Sequence, residues 1–425
     1  MTALETLRSE TAACLTQTIL PFWLHQMRDH ERGGWYGQMT GRGELVKDAP
    51  RGAVLYARLL WTFSAAYRVL QGEGTEPGLL TELLEAATMT RDYILRHFID
   101  REYGGTFWSV TAEGEPLDTR KQFYAIGFMI YGFSEYARAM GDRCALQTAL
   151  ELYEVTERYG WDNTYGGYIE ACTRDWQTIS DMRLSAKDEN YPKSQNTHLH
   201  ILEPYTNLLL AQQDVKWKME NGQWKIMNSI RRLIELFCSR ILHPEMHHLD
   251  LFFQMDWTRM STTASYGHDI ECSWLLHEAA LALNDPRILN KVSPVVREVA
   301  QASLEGLRAD GSLAYESGDE DRHWWVQAEA VVGFLNLYQH FGDEAALERA
   351  LRCWAYIREH LVDHERGEWY WSIRADGTVN LDDDHAGFWK CPYHNSRMCL
   401  EIIQRVSQLL TKSTDNVRTP LSHGS

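Results

Sequence analysis

This chain of 425 residues is short of several things, and each shortage excludes a class of function. Positive charge is scarce: 42 Lys and Arg stand against 59 Asp and Glu, for a formal net charge of −17. A surface of that sign repels phosphate, so neither nucleic acid nor an anionic membrane is expected as a general partner. No apolar run reaches the roughly 18–20 residues that a membrane span needs. The opening stretch, Met1 to Leu24, is broken by Glu5 and Glu10 and does not read as a signal peptide. The eight Cys form no CxxC pair and lie scattered in apolar helical stretches, which fits reduced thiols in a cytoplasmic protein. The P-loop, G-x-G-x-x-G behind a strand, H-E-x-x-H and G-x-S-x-G are all missing. His243-Pro-Glu-Met-His247-His248 approaches metal-ligand spacing, but it sits in a turn with no matching carboxylate helix and reads as a surface loop. No metal and no cofactor is expected.

What is present is ordinary globular composition, 44% hydrophobic and 24% charged, enriched in rings with 16 Trp and 20 Tyr. A polar turn with Gly followed by an aromatic-rich segment recurs along the chain. Its copies include Asp29-His-Glu-Arg-Gly-Gly-Trp-Tyr-Gly37, Asp100-Arg-Glu-Tyr-Gly-Gly-Thr-Phe-Trp108 and Asp162-Asn-Thr-Tyr-Gly-Gly-Tyr-Ile-Glu170. A degenerate copy follows at His243, then Ala309-Asp-Gly-Ser-Leu-Ala-Tyr-Glu316 and Asp363-His-Glu-Arg-Gly-Glu-Trp-Tyr-Trp371. Between copies, apolar residues fall at i, i+3, i+4 and i+7, the period of a helix with one buried face. Twelve such stretches run from 3–29 to 389–412. Six hairpins of this kind predict an all-α (α/α)6 barrel of twelve helices, with short β-hairpins or strands in the connecting loops. An open solenoid of paired helices is the alternative. Residues 1–412 form a single domain in this reading, and 413–425 a flexible C-terminal tail. Pro204 lies inside a helical pattern and should kink that helix or mark its first turn.

Residues that can do chemistry collect at the starts of the even-numbered helices, which a ring brings to one end. Asn196 and His200 share a helix face at i, i+4, and Glu203 continues it. His268 and Glu271 lie one turn apart, where a carboxylate can fix an imidazole tautomer. His394 falls in a first turn behind Pro392, with Trp389 just ahead of it. Trp324 and Trp325 are adjacent indoles pointing in different directions. Arg58 sits in an apolar helix with no carboxylate at i±3 or i±4, so its partner is a distant acid or a ligand oxygen. Each of these taken alone also fits core packing; together they suit a neutral polyol, with indole faces on C–H groups and polar tips on hydroxyls. Imidazoles of ordinary pKa, about 6.5, serve as acid and base near neutrality.

Eight words carry a family resemblance: residues 57–63, 117–121, 168–174, 184–188, 196–200, 265–271, 322–330 and 387–395, the last reading Gly-Phe-Trp-Lys-Cys-Pro-Tyr-His-Asn. From about Leu20 to Arg405 the chain resembles the cellobiose 2-epimerases of the N-acylglucosamine 2-epimerase superfamily. The resemblance implies an (α/α)6 barrel without metal or nucleotide. The implied reaction is reversible epimerisation at C2 of the reducing-end glucose of β-1,4-linked disaccharides, through ring opening and a cis-enediol(ate). By matching motif, His268 and His394 correspond to the acid/base pair, and His200 to ring opening and positioning. Arg58, Tyr124, Asn196, Glu271, Trp325 and Trp389 correspond to binding and supporting positions, with a differing neighbourhood at Tyr124. Pro204 stands where the family pattern has Ala, which leaves the local helix path open. A monomer acting on a disaccharide is the expected state. The rivals are an aldose–ketose isomerase or N-acylglucosamine 2-epimerase, and, in other classes, a silent sugar-binding protein or a glycoside hydrolase drawing on Glu170, Glu271, Glu316 or Glu368.

Overall fold

In the computed structural model, which describes residues 2–216 and 222–418, the helical periodicity resolves into twelve helices. The outer set is α1 (Ala3–Cys14), α3 (Pro77–His97), α5 (Arg143–Val155), α7 (Gly222–Leu236), α9 (Pro286–Ser303) and α11 (Glu344–Tyr356). The inner set is α2 (Ala53–Leu70), α4 (Phe123–Met140), α6 (Gln195–Asp214), α8 (Tyr266–Ala282), α10 (Trp324–Phe341) and α12 (Tyr393–Arg418). Each inner helix packs on the next, and α12 packs back on α2, so the ring is closed and the solenoid excluded. The sequence anticipates the two layers. Every residue of α4 from Phe123 to Ala137 is buried, as a helix between layers requires, whereas α9 keeps one apolar stripe.

The recurrent turn explains how the ring is keyed. Its Asp holds the turn's own backbone amides and also binds a buried cation placed two residues before the next inner helix. Arg51 Nη2 lies 2.6 Å from Asp29 Oδ2, Lys121 Nζ 2.8 Å from Asp100 Oδ2, and Lys193 Nζ 2.7 Å from Asp162 Oδ2. The same cations donate to the carbonyls of Gly33, Gly104 and Gly166. Gly is required there because these residues adopt a left-handed backbone, φ +76° at Gly33 and +77° at Gly104. Lys390 repeats the device with Glu368 at 2.6 Å. Two-residue antiparallel strands, such as Lys121–Gln122 on Ala171–Cys172, then align consecutive loops at the end where the inner helices begin.

Several boundaries differ from the sequence reading. The first stretch breaks after Cys14 into wider turns at Leu15–Ile19 and Phe22–Gln26 around Pro21, which cannot donate to the ladder; wide turns of the same length also follow α5, α7 and α11. Helix twelve begins at Tyr393 rather than 389, and it continues to Arg418, into the expected tail. The rest of that tail, 419–425, lies outside the described residues. His248 is buried rather than on a surface loop, with Nδ1 2.6 Å from Asp269 Oδ2 on α8. Among the described residues no helix is long and apolar enough to cross a membrane.

Candidate active site

Pro204 shapes the first wall. It lies inside α6 and lacks the N–H that would bond the carbonyl four residues back, which belongs to His200. The helix yields at that residue: His200 has φ −86° and ψ 15°. The released carbonyl turns toward Gly127 of α4, where a Cβ would lie 2.4 Å from it, so a side chain is excluded there. The His200 ring is 98% buried, against Phe128 at 4.9 Å and Tyr124 at 5.1 Å between centroids. Its Nδ1 donates to Glu203 Oε2 at 3.1 Å. Asn196 stands one turn earlier with a buried Oδ1 that has no protein partner.

The opposite wall comes from α8, α10 and α12. Trp325 stands between the other two histidines, its ring 4.8 Å from His268 and 5.6 Å from His394. His268 Nδ1 is hydrogen-bonded to Ser265 Oγ at 2.8 Å. Glu271, the carboxylate one turn on, was expected in that place, but it is bound to Arg397 instead, with Oε1 2.7 Å from Nη2. His394 Nδ1 donates to Glu329 Oε1 at 2.7 Å. Arg397 joins Glu203, Glu271 and Glu329 into one buried cluster, and Tyr393 OH donates to Glu203 at 2.5 Å. Ser265 and Glu329 stood in the quoted words and Arg397 two residues past the last of them, but the sequence reading gave them no role. Ser265 had a local signal, three residues from His268; Glu329 is 65 residues from His394 and had none.

Among the described residues Arg58 reaches no carboxylate. Its Nη2 donates to Tyr124 OH at 2.9 Å, and its guanidinium lies over Phe128 at 4.2 Å and Tyr393 at 4.7 Å. Nε is buried without a partner. An uncompensated buried cation of this kind stabilises negative charge that develops beside it. Trp389 extends the Tyr124 side, 6.0 Å from Tyr124 and 5.9 Å from Trp108. The structure therefore draws all nine of the residues singled out from the sequence to one end of the barrel interior.

Burial sets the protonation states. It lowers His200 to about 4, against the pull of Glu203, and His268 to about 3. Burial and the charges of Arg58 and Arg397 hold His394 well below its ordinary value. All three imidazoles rest neutral at pH 7, held below the ordinary value of about 6.5 assumed from the sequence. Glu329 is placed to stabilise the imidazolium that forms when His394 takes a proton, as a buried carboxylate does for a catalytic histidine. Glu271, Glu329 and His394 hold three donor atoms within 4.8 Å of one another. The Arg397 guanidinium already bridges both of those carboxylates, so the cluster's cationic position is filled by the chain itself.

Comparison with known proteins agrees with this geometry. The N-acylglucosamine 2-epimerase (GlcNAc 2-epimerase) family profile matches residues 33–396. The chain belongs to the N-acylglucosamine 2-epimerase family. A curated cellobiose 2-epimerase of Bacteroides fragilis is 50% identical over 405 residues, covering 94% of this chain and 99% of its own. One from Dictyoglomus turgidum is 35% identical over 410 residues, covering 95% of this chain and 100% of its own. The solved cellobiose 2-epimerase of Bacillus thermoamylovorans superposes with a TM-score of 0.85 at 38% identity, covering 94% of this chain and 100% of that one. These relatives make the chain a carbohydrate epimerase. A GH76 α-mannanase of Bacteroides thetaiotaomicron shares the fold alone, with a TM-score of 0.62 at 11% identity.

Proposed function

We propose that the enzyme reversibly inverts C2 of the reducing-end glucose of β-1,4-linked disaccharides, cellobiose to glucosyl-mannose and lactose to epilactose. One observation carries the reading. His268 and His394 stand on either side of Trp325, and each has Nδ1 tied by its own partner, which leaves Nε2 for substrate. Inversion needs removal of the C2 proton from one face and its return to the other, so two bases at separate positions around the bound sugar are the minimal equipment. His200 opens the ring to expose the aldehyde that acidifies C2–H. Arg58 stabilises the enediolate oxygen. Trp325 supports the reacting sugar, and Trp389 with Trp108 stacks on the distal one. Asn196 Oδ1 accepts from a sugar hydroxyl. The carbohydrate names of the relatives support the substrate class.

The test is proton NMR of the protein with cellobiose in D2O. The expected result is a mannose-type reducing end with deuterium at C2. His268→Ala and His394→Ala each abolish inversion with the fold kept; near-normal turnover by either folded variant refutes the two-histidine mechanism. A ketose product moves the chain to the isomerases, and free glucose to the hydrolases.

A further inference from the structure

The buried cluster around Arg397 contains more carboxyl groups than its hydrogen bonds can ionise. Glu203 accepts from three donors: His200 Nδ1, Tyr393 OH and Arg397. Glu329 also accepts from three: His394 Nδ1, Trp274 Nε1 at 3.0 Å, and Arg397. Glu271 accepts only from Arg397, through Oε1, although it is fully buried. Its Oε2 has no partner and lies 3.9 Å from His200 Nε2. Because His200 gives its Nδ1–H to Glu203, that Nε2 presents a lone pair. An ionised Glu271 would aim a bare carboxylate oxygen at a lone pair in a dry site, at the full cost of an unsatisfied buried charge. With a proton on Oε2, the two buried guanidinium groups, Arg58 and Arg397, are balanced by Glu203 and Glu329.

We infer that Glu271 is a neutral carboxylic acid whose Oε2 proton is stored for His200, so that Glu271 acts through that imidazole as a positioning residue and proton store. The idea rests on the ring-opening role proposed above for His200. The step balances. The Glu271 O–H bond breaks and a bond to His200 Nε2 forms, leaving carboxylate and imidazolium. The imidazolium gives its proton to the ring oxygen as the C1–O5 bond breaks. It then recovers a proton from the C1 hydroxyl as C1=O forms, and returns it to Glu271.

The charged and titratable groups facing Glu271 come from several packed neighbours: Glu203 and His200 on α6, Glu329 on α10, Arg397, Tyr393 and His394 on α12, and Tyr124 on α4, with Arg58 of α2 behind Tyr124. Burial and the adjacent Glu329 push Glu271 well above the ordinary carboxylate range, against the pull of Arg397; burial raises Glu329 as well, with Arg397 and Trp274 drawing it back down. Glu203 moves the other way: burial raises it, but Arg397, His200 and Tyr393 more than offset this and hold it near 2.

Infrared difference spectra of the intact protein at pH 7 test the assignment without relying on turnover. A carboxylic-acid carbonyl band is expected in the wild type, lost in Glu271→Gln and shifted in His200→Asn, which removes the imidazole nitrogen that faces Oε2 at 3.9 Å. With cellobiose, Glu271→Gln should lower kcat by more than about 100-fold while KM stays within about threefold. A band unchanged in Glu271→Gln, or unmoved in His200→Asn, overturns the proton placement. Loss of the band with kcat within about threefold of wild type overturns the relay. A wild type that has the band but does not epimerise cellobiose leaves the placement standing and sinks the substrate reading instead.

Discussion

Replacing Arg397 by Leu is the sharpest test of how the site is held. The guanidinium is 99% buried and is the only cation bonded to Glu203, Glu271 and Glu329 among the described residues. Removing one member of a buried ion cluster leaves uncompensated charge and costs about 3–5 kcal/mol. At an unfolding entropy of roughly 2.1 cal/mol/K per residue, that predicts a fall in Tm of about 3–6 °C if the barrel unfolds as one unit. The pH dependence separates this cause from lost packing. In the wild type, Glu203 is depressed to about 2, so its stabilisation is present above the unfolded carboxylate value and is lost as pH falls toward 2. In Arg397→Leu the abandoned carboxyls are raised by burial, so the deficit is small near pH 4.3 and grows as pH rises. Calorimetry of both proteins at pH 5 and pH 8 reads the difference. A fall below about 1 °C, or one equal at both values, refutes the reasoning.

Other consequences follow from single contacts. Glu329→Gln keeps an acceptor for His394 Nδ1 but removes the negative charge that stabilises its imidazolium; kcat should fall by about 10²–10⁴ with little change in KM, measured by initial rates on cellobiose. Ser265→Ala deletes one neutral hydrogen bond to His268, and a loss of only about tenfold in kcat/KM is expected in the same assay. Gly127→Ala drives a methyl into the His200 carbonyl; it should cost about 1–3 kcal/mol in denaturant unfolding and lower activity together with stability. Activity that survives Gly127→Ala unchanged would show that the bend at His200 is incidental.

Much of the architecture was legible because it is written locally. Helical periodicity and the Gly-Gly turns operate within a few residues, so twelve helices and the end on which the inner ones start can be read directly. The bend of α6 was legible as a proline effect, and the i−4 rule assigns it to His200. The partners of the histidines were not legible, because they are chosen by the ring. His394 meets Glu329 only after α10 and α12 pack side by side, and Glu271 turns to Arg397, 126 residues away, rather than to His268, three residues away. Helix periodicity places Glu271 beside His268 on one helix but says nothing of a stronger cation arriving from another. The protonation states were misjudged for the same reason, since the burial that keeps the imidazoles neutral is a property of the closed barrel.

The order of the chain gives α12 a particular importance during synthesis. Of the twelve helices described it is made last, and it supplies His394, Arg397 and the contact that shuts the ring on α2. Until it leaves the ribosome, the growing polypeptide holds Glu203, Glu271 and Glu329 with no guanidinium among them. A chain interrupted before Tyr393 therefore lacks both the guanidinium that three buried carboxyl groups share and the contact that closes the ring, so the barrel's interior is completed only by its final turn of assembly.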